Sequence, residues 1–240
     1  MSAAVIVQAR MTSTRLAGKV MEDLGGRTVL WHVLTRCAAI PSIDTVCCAV
    51  PEGARHDPIA TEAEAAGAVV VRGSENDVLD RYHTAAEALG AARLMRVTSD
   101  CPLIDPEVCG TVLAALDQGA DGPVDYAANN FTHRFPHGLD CEAFTAAALH
   151  RAWTAATEPF DREHVTPWLR RAPDVRRAAI DGPDGSLGAI RWTLDHPEDL
   201  AFFRALWPLL PDGIPDWRQV LDVVAANPAI AALNAGRRDR

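Results

Sequence analysis

Long apolar runs are missing from this 240-residue chain. None approaches the ~20 residues that a membrane-spanning helix needs, so no span is expected. The first ten residues lack a basic leader and a long apolar stretch, so no secretory signal is expected either. Glycine and proline, at 16 each, are too few for a collagenous or disordered chain. The six cysteines, Cys37, Cys47, Cys48, Cys101, Cys109 and Cys141, form no C-x-x-C pair, which argues against a zinc ribbon or a thioredoxin-type centre. Cys37, Cys47 and Cys48 lie inside apolar runs and read as free buried thiols, which fits a reducing cytoplasm. Excess positive charge is lacking as well. The formal net charge of −9 opposes binding to a nucleic-acid duplex or an anionic membrane, so any anion-binding cations must be concentrated locally.

What is present is a chain with 48% hydrophobic residues, long enough to bury a core without disulfide or metal staples. Short β-branched runs alternate with helix-length amphipathic stretches. Strands are expected at Ala3–Val7, Thr45–Val50, Ala68–Val71 and Leu94–Val97. Helices are expected from a Thr28 cap, over Pro58–Ala66, from Asn76 or Asp77, and over Pro106–Leu116. Almost continuously apolar strands in such an alternation signal a mostly parallel sheet covered on both faces. After about Gly119 the pattern loosens. Strands near Val124–Ala127, Leu139–Phe144, Val175–Ile180 and Ala189–Leu194 are interrupted by helices at Ala146–Ala156 and Arg162–Leu169, which suggests a small antiparallel insertion. Pro197–Leu206 and Trp217–Ala226 close the chain as helices. The expectation is one domain over 1–240, with its first half near 1–120 and further elements near 121–190.

The segment from Gln8 to Lys19 directly follows the first strand, at the carboxyl edge where open α/β sheets bind ligands. Arg10, Arg15 and Lys19 among hydroxyls and a glycine would suit an anion cradle, or a solvated basic loop. The segment is neither G-x-G-x-x-G nor G-x-x-x-x-G-K-[ST], which argues against the dinucleotide fingerprint and the P-loop. Asp100 ends the fourth strand, where it could serve a hard cation such as Mg²⁺ or cap a turn. Asp105 reads as a helix cap before Pro106, and by spacing alone Asp195 does so before Pro197. Asp199, a turn into that helix, reads as structural. Asp77 and Arg81 could pair at i,i+4. Asp140 and Glu142 share a strand face, and Arg162, Glu163 and His164 form a polar turn. No zinc spacing occurs among the eight histidines, and no G-x-S-x-G elbow is present.

In order, VIVQARMTSTRLAGKV, GSENDVLDRY, RVTSDCPLIDP, HGLDCEAF, REHVTPWL and RWTLDHPEDL cover the chain from Val5 to Leu200. Together they resemble the spore-coat polysaccharide nucleotidyltransferases of SpsF type, relatives of the cytidylyltransferases that make CMP-sialic acid and CMP-Kdo. Ala17 departs from the family's usual R-L-P-G-K run and removes no ligand. The resemblance implies a GT-A-like three-layer sandwich, CTP as donor, Mg²⁺ as metal and a homodimer. It implies nucleotide contacts at Gln8, Ala9, Arg10, Arg15, Lys19, Ser74, Asp77, Arg81 and Ser99, with Arg10, Lys19 and Asp100 in catalysis. It makes Asp100 and Asp195 the metal-binding pair, and it turns Gly138, Asp140, Glu142, Arg162, Glu163 and His164 toward the acceptor. An acidic sugar leads as acceptor, with an alditol phosphate, a phosphonate or another small phosphorylated molecule as the alternative. Two rivals share the fold: a GT-A glycosyltransferase, disfavoured because Ser99-Asp100-Cys101-Pro102 lacks the second aspartate of D-x-D, and a non-catalytic nucleotide sensor.

Overall fold

The computed structural model describes residues 2–118, 122–183 and 185–237. The division expected near residues 120 and 121 lies outside the described residues. The first half runs β1 (Ala3–Gln8), β2 (Asp23–Leu24), β3 (Arg27–Thr28), α1 (Val29–Ala38), β4 (Thr45–Pro51), α2 (Asp57–Ala65), β5 (Val69–Gly73), α3 (Val78–Leu89), β6 (Arg93–Thr98) and α4 (Pro106–Ala114). The second half continues with β7 (Tyr126–Ala128), β8 (Glu142–Thr145), α5 (Ala146–Ala155), α6 (Pro159–His164), α7 (Pro167–Arg171), β9 (Arg177–Ala179), α8 (Pro197–Leu206), α9 (Trp217–Ala226) and α10 (Pro228–Ala231).

Seven strands make one mostly parallel sheet in the order β5-β4-β1-β6-β8-β7-β9, and β2 and β3 form a separate antiparallel pair. In the second half β8 supplies the antiparallel component, running against β6 on one side and β7 on the other. The period-2 geometry of β1 splits its side chains between two cores. Ala3, Val5 and Val7 pack with α1, α2, α4, α8 and α9 residues such as Val33, Ile59, Val108, Phe203 and Val220. Ala4 and Ile6 pack on the opposite face with Leu79, Tyr82, Leu149 and Leu169. A sheet buried on both sides explains why its central strands read as unbroken apolar runs.

Local signals place the helices. Thr28 caps α1 by accepting from the Trp31 amide at 3.0 Å, and Val29, Leu30, Val33, Leu34 and Cys37 then form one buried stripe. Asp105 caps α4 through the amides of Glu107 and Val108, as its place before Pro106 predicts. All six cysteines are free and buried. No helix among the described residues is long and apolar enough to cross a membrane.

Three expectations need correction. The helix expected over Arg162–Leu169 is two, α6 and α7, separated by Val165 at φ +70°. Pro167 has no amide hydrogen and its ring would strike the carbonyl one turn back, so the chain restarts there. The Thr166 amide instead closes a three-residue turn onto the His164 carbonyl at 2.8 Å. The strand expected over Ala189–Leu194 is reduced to a single bridge between His137 and Arg191. The expected strand start at Leu139 shifts to Glu142, because the Asn129 amide takes both the Leu139 carbonyl and the Cys141 N–H, replacing ladder bonds.

Candidate active site

The crossovers leaving β1 and β4 place α1 and α2 on one face, whereas α3, between β5 and β6, covers the other. The chain therefore reverses its winding between β1 and β6, and a crevice opens beyond their carboxyl ends, where doubly wound sheets bind ligands. Gln8 and Thr98 are paired at that edge. The cleft beyond them is lined by Gln8, Ala9, Arg10, Arg15, Lys19, Arg81, Ser99, Asp100, Glu163, His164 and Asp195, eleven of the residues singled out from sequence. Ser13, Thr14, Val20, Val78 and Thr98 complete the lining.

Lys19 is the only lysine in the chain, every other basic residue among the 23 being arginine. Its Nζ donates to Asp100 Oδ2 at 2.8 Å and to Asp195 Oδ1 at 2.7 Å, while Arg15 Nη2 reaches the same Asp195 oxygen at 2.7 Å. A compact ammonium fits between two converging carboxylates where a planar guanidinium fork would not. Burial disfavours the charged ammonium, but Asp100 and Asp195 outweigh it and raise the Lys19 pKa above its ordinary value. Burial likewise opposes the Asp100 carboxylate, yet Lys19 and the Thr98 hydroxyl hold its pKa well below the usual carboxylate range.

Asp195 does not cap α8, contrary to the spacing argument. His196 is the N-cap and forms a capping box with Asp199, which accepts from the amides of Asp195 and His196 at 3.0 Å each. The Asp195 side chain is thereby free to face the cleft. Two carboxylates meeting on one cation are an oxygen donor set suited to Mg²⁺, which takes one or two protein carboxylates and completes its shell with water and phosphate. Among the described residues, no three His, Cys, Asp or Glu side chains gather as a metal cluster.

Among the described residues, Arg10 and Arg81 have no carboxylate partner in the cleft. Arg81 is 1% exposed; its Nη1 donates to the Ser74 carbonyl, and its Nε has no partner among the described residues. Burial and the nearby Arg10 charge both lower the Arg81 pKa. An anion placed between these guanidinium groups would relieve both penalties. The expected Asp77–Arg81 pairing is not formed. Asp77 caps α3 through the Asp80 amide and pairs with Arg162 at 2.6 Å, 85 positions away. Ser74 accepts from the Asp77 amide at 3.0 Å. Ser74, Asp77 and Arg162 thus shape the segment behind the cleft and do not line it.

The other candidates separate by burial. Glu142 is 3% exposed and lies among Arg96, Tyr126, Thr166 and Arg170. Its place on the strand face is inside the protein, so it presents no oxygen to the cleft. Its reach is indirect, since Arg96 bonds Glu142 at 2.7 Å and the Gln8 side chain at 3.3 Å. Asp140 accepts from the Gly138 amide at 3.1 Å and lies 3.9 Å from both His133 and His137, also off the cleft lining.

Gly138 has a backbone task. Its φ is +116°, and a Cβ there would lie 2.2 Å from the Trp192 carbonyl oxygen. Gly138→Ala is therefore expected to cost about 2–3 kcal/mol, from overpacking against a fixed backbone together with an unfavourable φ. Chemical denaturation of the two proteins side by side measures it, and equal midpoints would refute it.

An α/β sheet that gathers cations opposite two carboxylates at its reversal point defines the class, a nucleotidyltransferase. The chain belongs to the cytidylyltransferase family, whose model, described as Cytidylyltransferase, matches residues 4–205. It is 32% identical over 242 residues to an uncharacterized protein of Methanocaldococcus jannaschii, covering 98% of this chain and 95% of that one. It is 32% identical over 210 residues to the spore coat polysaccharide biosynthesis protein SpsF of Bacillus subtilis, covering 84% and 85%. A cytidylyltransferase structure from Leptospira borgpetersenii superposes with a TM-score of 0.91 at 26% identity, over 100% of this chain and 99% of the other.

Proposed function

We propose that this chain transfers CMP from CTP to a hydroxyl of a small acidic sugar and releases pyrophosphate. The observation that carries the reading is the cleft beyond β1 and β6, where Arg10, Arg81 and the Lys19 ammonium face Asp100 and Asp195. In the reaction an acceptor oxygen bonds to the α-phosphorus as the bond to the departing pyrophosphate breaks. Such a transfer needs position and charge neutralisation more than covalent help. Arg10, Arg15 and Lys19 bind the phosphate oxygens, and the orphaned Arg81 Nε offers one further donor. Gln8, Ala9 and Ser99 hold the nucleotide from the strand ends, and Ser74 and Asp77 fix the segment beside it. Asp100 and Asp195 would hold Mg²⁺, which when bound supplies further neutralisation of phosphate charge. Glu163 and His164 line the same cleft from α6 and orient the acceptor. The resemblance adds a homodimer and the buried thiols a reducing, cytoplasmic setting; light scattering that finds a monomer at micromolar concentration removes the dimer.

Calorimetric titration with CTP, UTP, ATP and GTP, each with and without Mg²⁺, tests the donor half. CTP is expected to bind selectively and more tightly with Mg²⁺, after which acidic sugars are screened by pyrophosphate release. A protein that binds none of the four nucleotides would end the reading.

A further inference from the structure

The stretch from Ala9 to Gly18 lacks regular secondary structure, yet it must present Arg10, Ser13, Thr14 and Arg15 to the cleft. Its closure falls on one residue, Met11. The Met11 carbonyl accepts from the Gly18 amide at 3.1 Å, closing the loop on itself. Gly18 makes this closure at φ +69°, a conformation that glycine adopts without strain. The Met11 amide donates outward to His56 Nδ1 at 3.2 Å. His56 is 1% exposed, belongs to a short 3₁₀ turn (Ala54–His56) beyond the end of β4, and does not line the cleft.

An Nδ1 that accepts leaves the imidazole proton on Nε2, and Nε2 lies 3.7 Å from Glu75 Oε2. The other Glu75 oxygen accepts from the Thr12 hydroxyl. That hydroxyl holds the Glu75 carboxyl below its usual range against the opposing effect of burial. Glu75 sits just beyond β5, where Arg81 holds the Ser74 and Glu75 carbonyls. Two consecutive loop residues, Met11 and Thr12, are thus clasped from the ends of two different strands.

We propose that His56 is a positioning residue for the nucleotide loop, fixing the Met11 backbone so that Arg10 and Arg15 meet the triphosphate already ordered. This rests on the reading of that loop as the CTP site. A neutral imidazole suits the task because it presents an acceptor to the Met11 amide and a donor toward Glu75 from opposite edges of one rigid ring. Without the acceptor, the loop samples conformations in which its cations point elsewhere. The apparent CTP affinity then falls by the fraction of molecules that stay competent.

The test compares His56→Ala, which removes the acceptor, with His56→Asn, whose amide oxygen can take the place of Nδ1. CTP affinity is read by calorimetry and fold stability by thermal melting. His56→Ala is expected to weaken CTP binding at least about tenfold, and His56→Asn to stay within about threefold of wild type although both melt lower. Equal weakening in the two variants, in step with lost stability, would reduce His56 to a packing residue and overturn the inference. Unchanged CTP binding in His56→Ala would overturn it too. If His56→Ala does not fold, Thr12→Val decides, because it breaks the Glu75 half of the clasp without touching the buried ring. About threefold weaker CTP binding is expected there, and wild-type affinity would overturn the inference. Wild-type protein that binds no CTP is a different failure, that of the underlying nucleotide reading, and it shows before any variant is made.

Discussion

Asp100→Asn is expected to fold like the wild type and to turn over about a thousandfold more slowly. The substitution keeps the shape of the side chain and removes one charge. The Asp100 side chain is 24% exposed at the edge of the cleft, and its main partner is the Lys19 ammonium at 2.8 Å. With Asp100 neutral, Lys19 remains held by Asp195 at 2.7 Å, so the loop keeps its anchor and the melting temperature is expected to move by only about 3 °C. What disappears is the balance at the reaction centre. Two carboxylates around one ammonium make a place for a second, harder cation, whereas one carboxylate already shared with Arg15 and Arg191 does not. Pyrophosphate release with any acceptor that supports the wild type measures the loss. A folded Asp100→Asn protein with wild-type turnover would remove Asp100 from catalysis and from the metal pair together.

The parts of this site that were legible in the sequence are those written in neighbouring residues. Ala3–Gln8 followed by a basic loop, the caps at Thr28, Asp77 and Asp105, and the start of α8 at Pro197 each depend on a few adjacent positions. The partners of charged side chains were not legible, because the fold decides which charge meets which. Asp77 sits four positions from Arg81, yet it pairs with Arg162, while Arg81 turns back to the Ser74 carbonyl. Asp140 and Glu142 do not share a strand face, because β8 begins only at Glu142; there the interior strand covers Glu142 and makes it the centre of a buried network, while Asp140 stays in the loop before it. His56 carried no local signal; its role depends on β4 and the loop after β1 lying side by side. One signal was available, however. A sole lysine among 22 arginines, placed in the loop after the first strand, marks a position where a point charge is required.

Asp199→Ala is expected to cost the largest share of stability of any substitution near the cleft, about 3–5 kcal/mol, with a fall in melting temperature of about 10 °C. Asp199 is fully buried. Burial opposes its charge, but the Arg191 guanidinium, the Asp195 and His196 amides and the Asn234 side chain more than offset this and hold its pKa below the ordinary value. Arg191 grips it with two bonds, at 2.8 Å from Nε and 2.9 Å from Nη2. Removing the carboxylate takes two bonds from the buried Arg191 and strips the acceptor from the Asp195 and His196 amides just ahead of α8, so the penalty includes weaker compensation of a buried charge and not merely a lost bond. The consequence reaches the cleft through Asp195. In the wild type Arg191 divides itself between Asp199 and Asp195, touching the latter at 3.1 Å while Lys19 and Arg15 hold its other oxygen. Freed from Asp199, the guanidinium can lean further onto Asp195, which it already touches, and it then competes with Lys19 for that carboxylate. Asp199→Asn separates the two effects, because its amide oxygen can still accept from the Asp195 and His196 amides while its charge is gone. It is expected to recover part of the stability lost in Asp199→Ala but little of the lost turnover, measured by melting and by pyrophosphate release. Recovery of both in parallel would show that Asp199 serves the fold alone and that Asp195 holds its position without it.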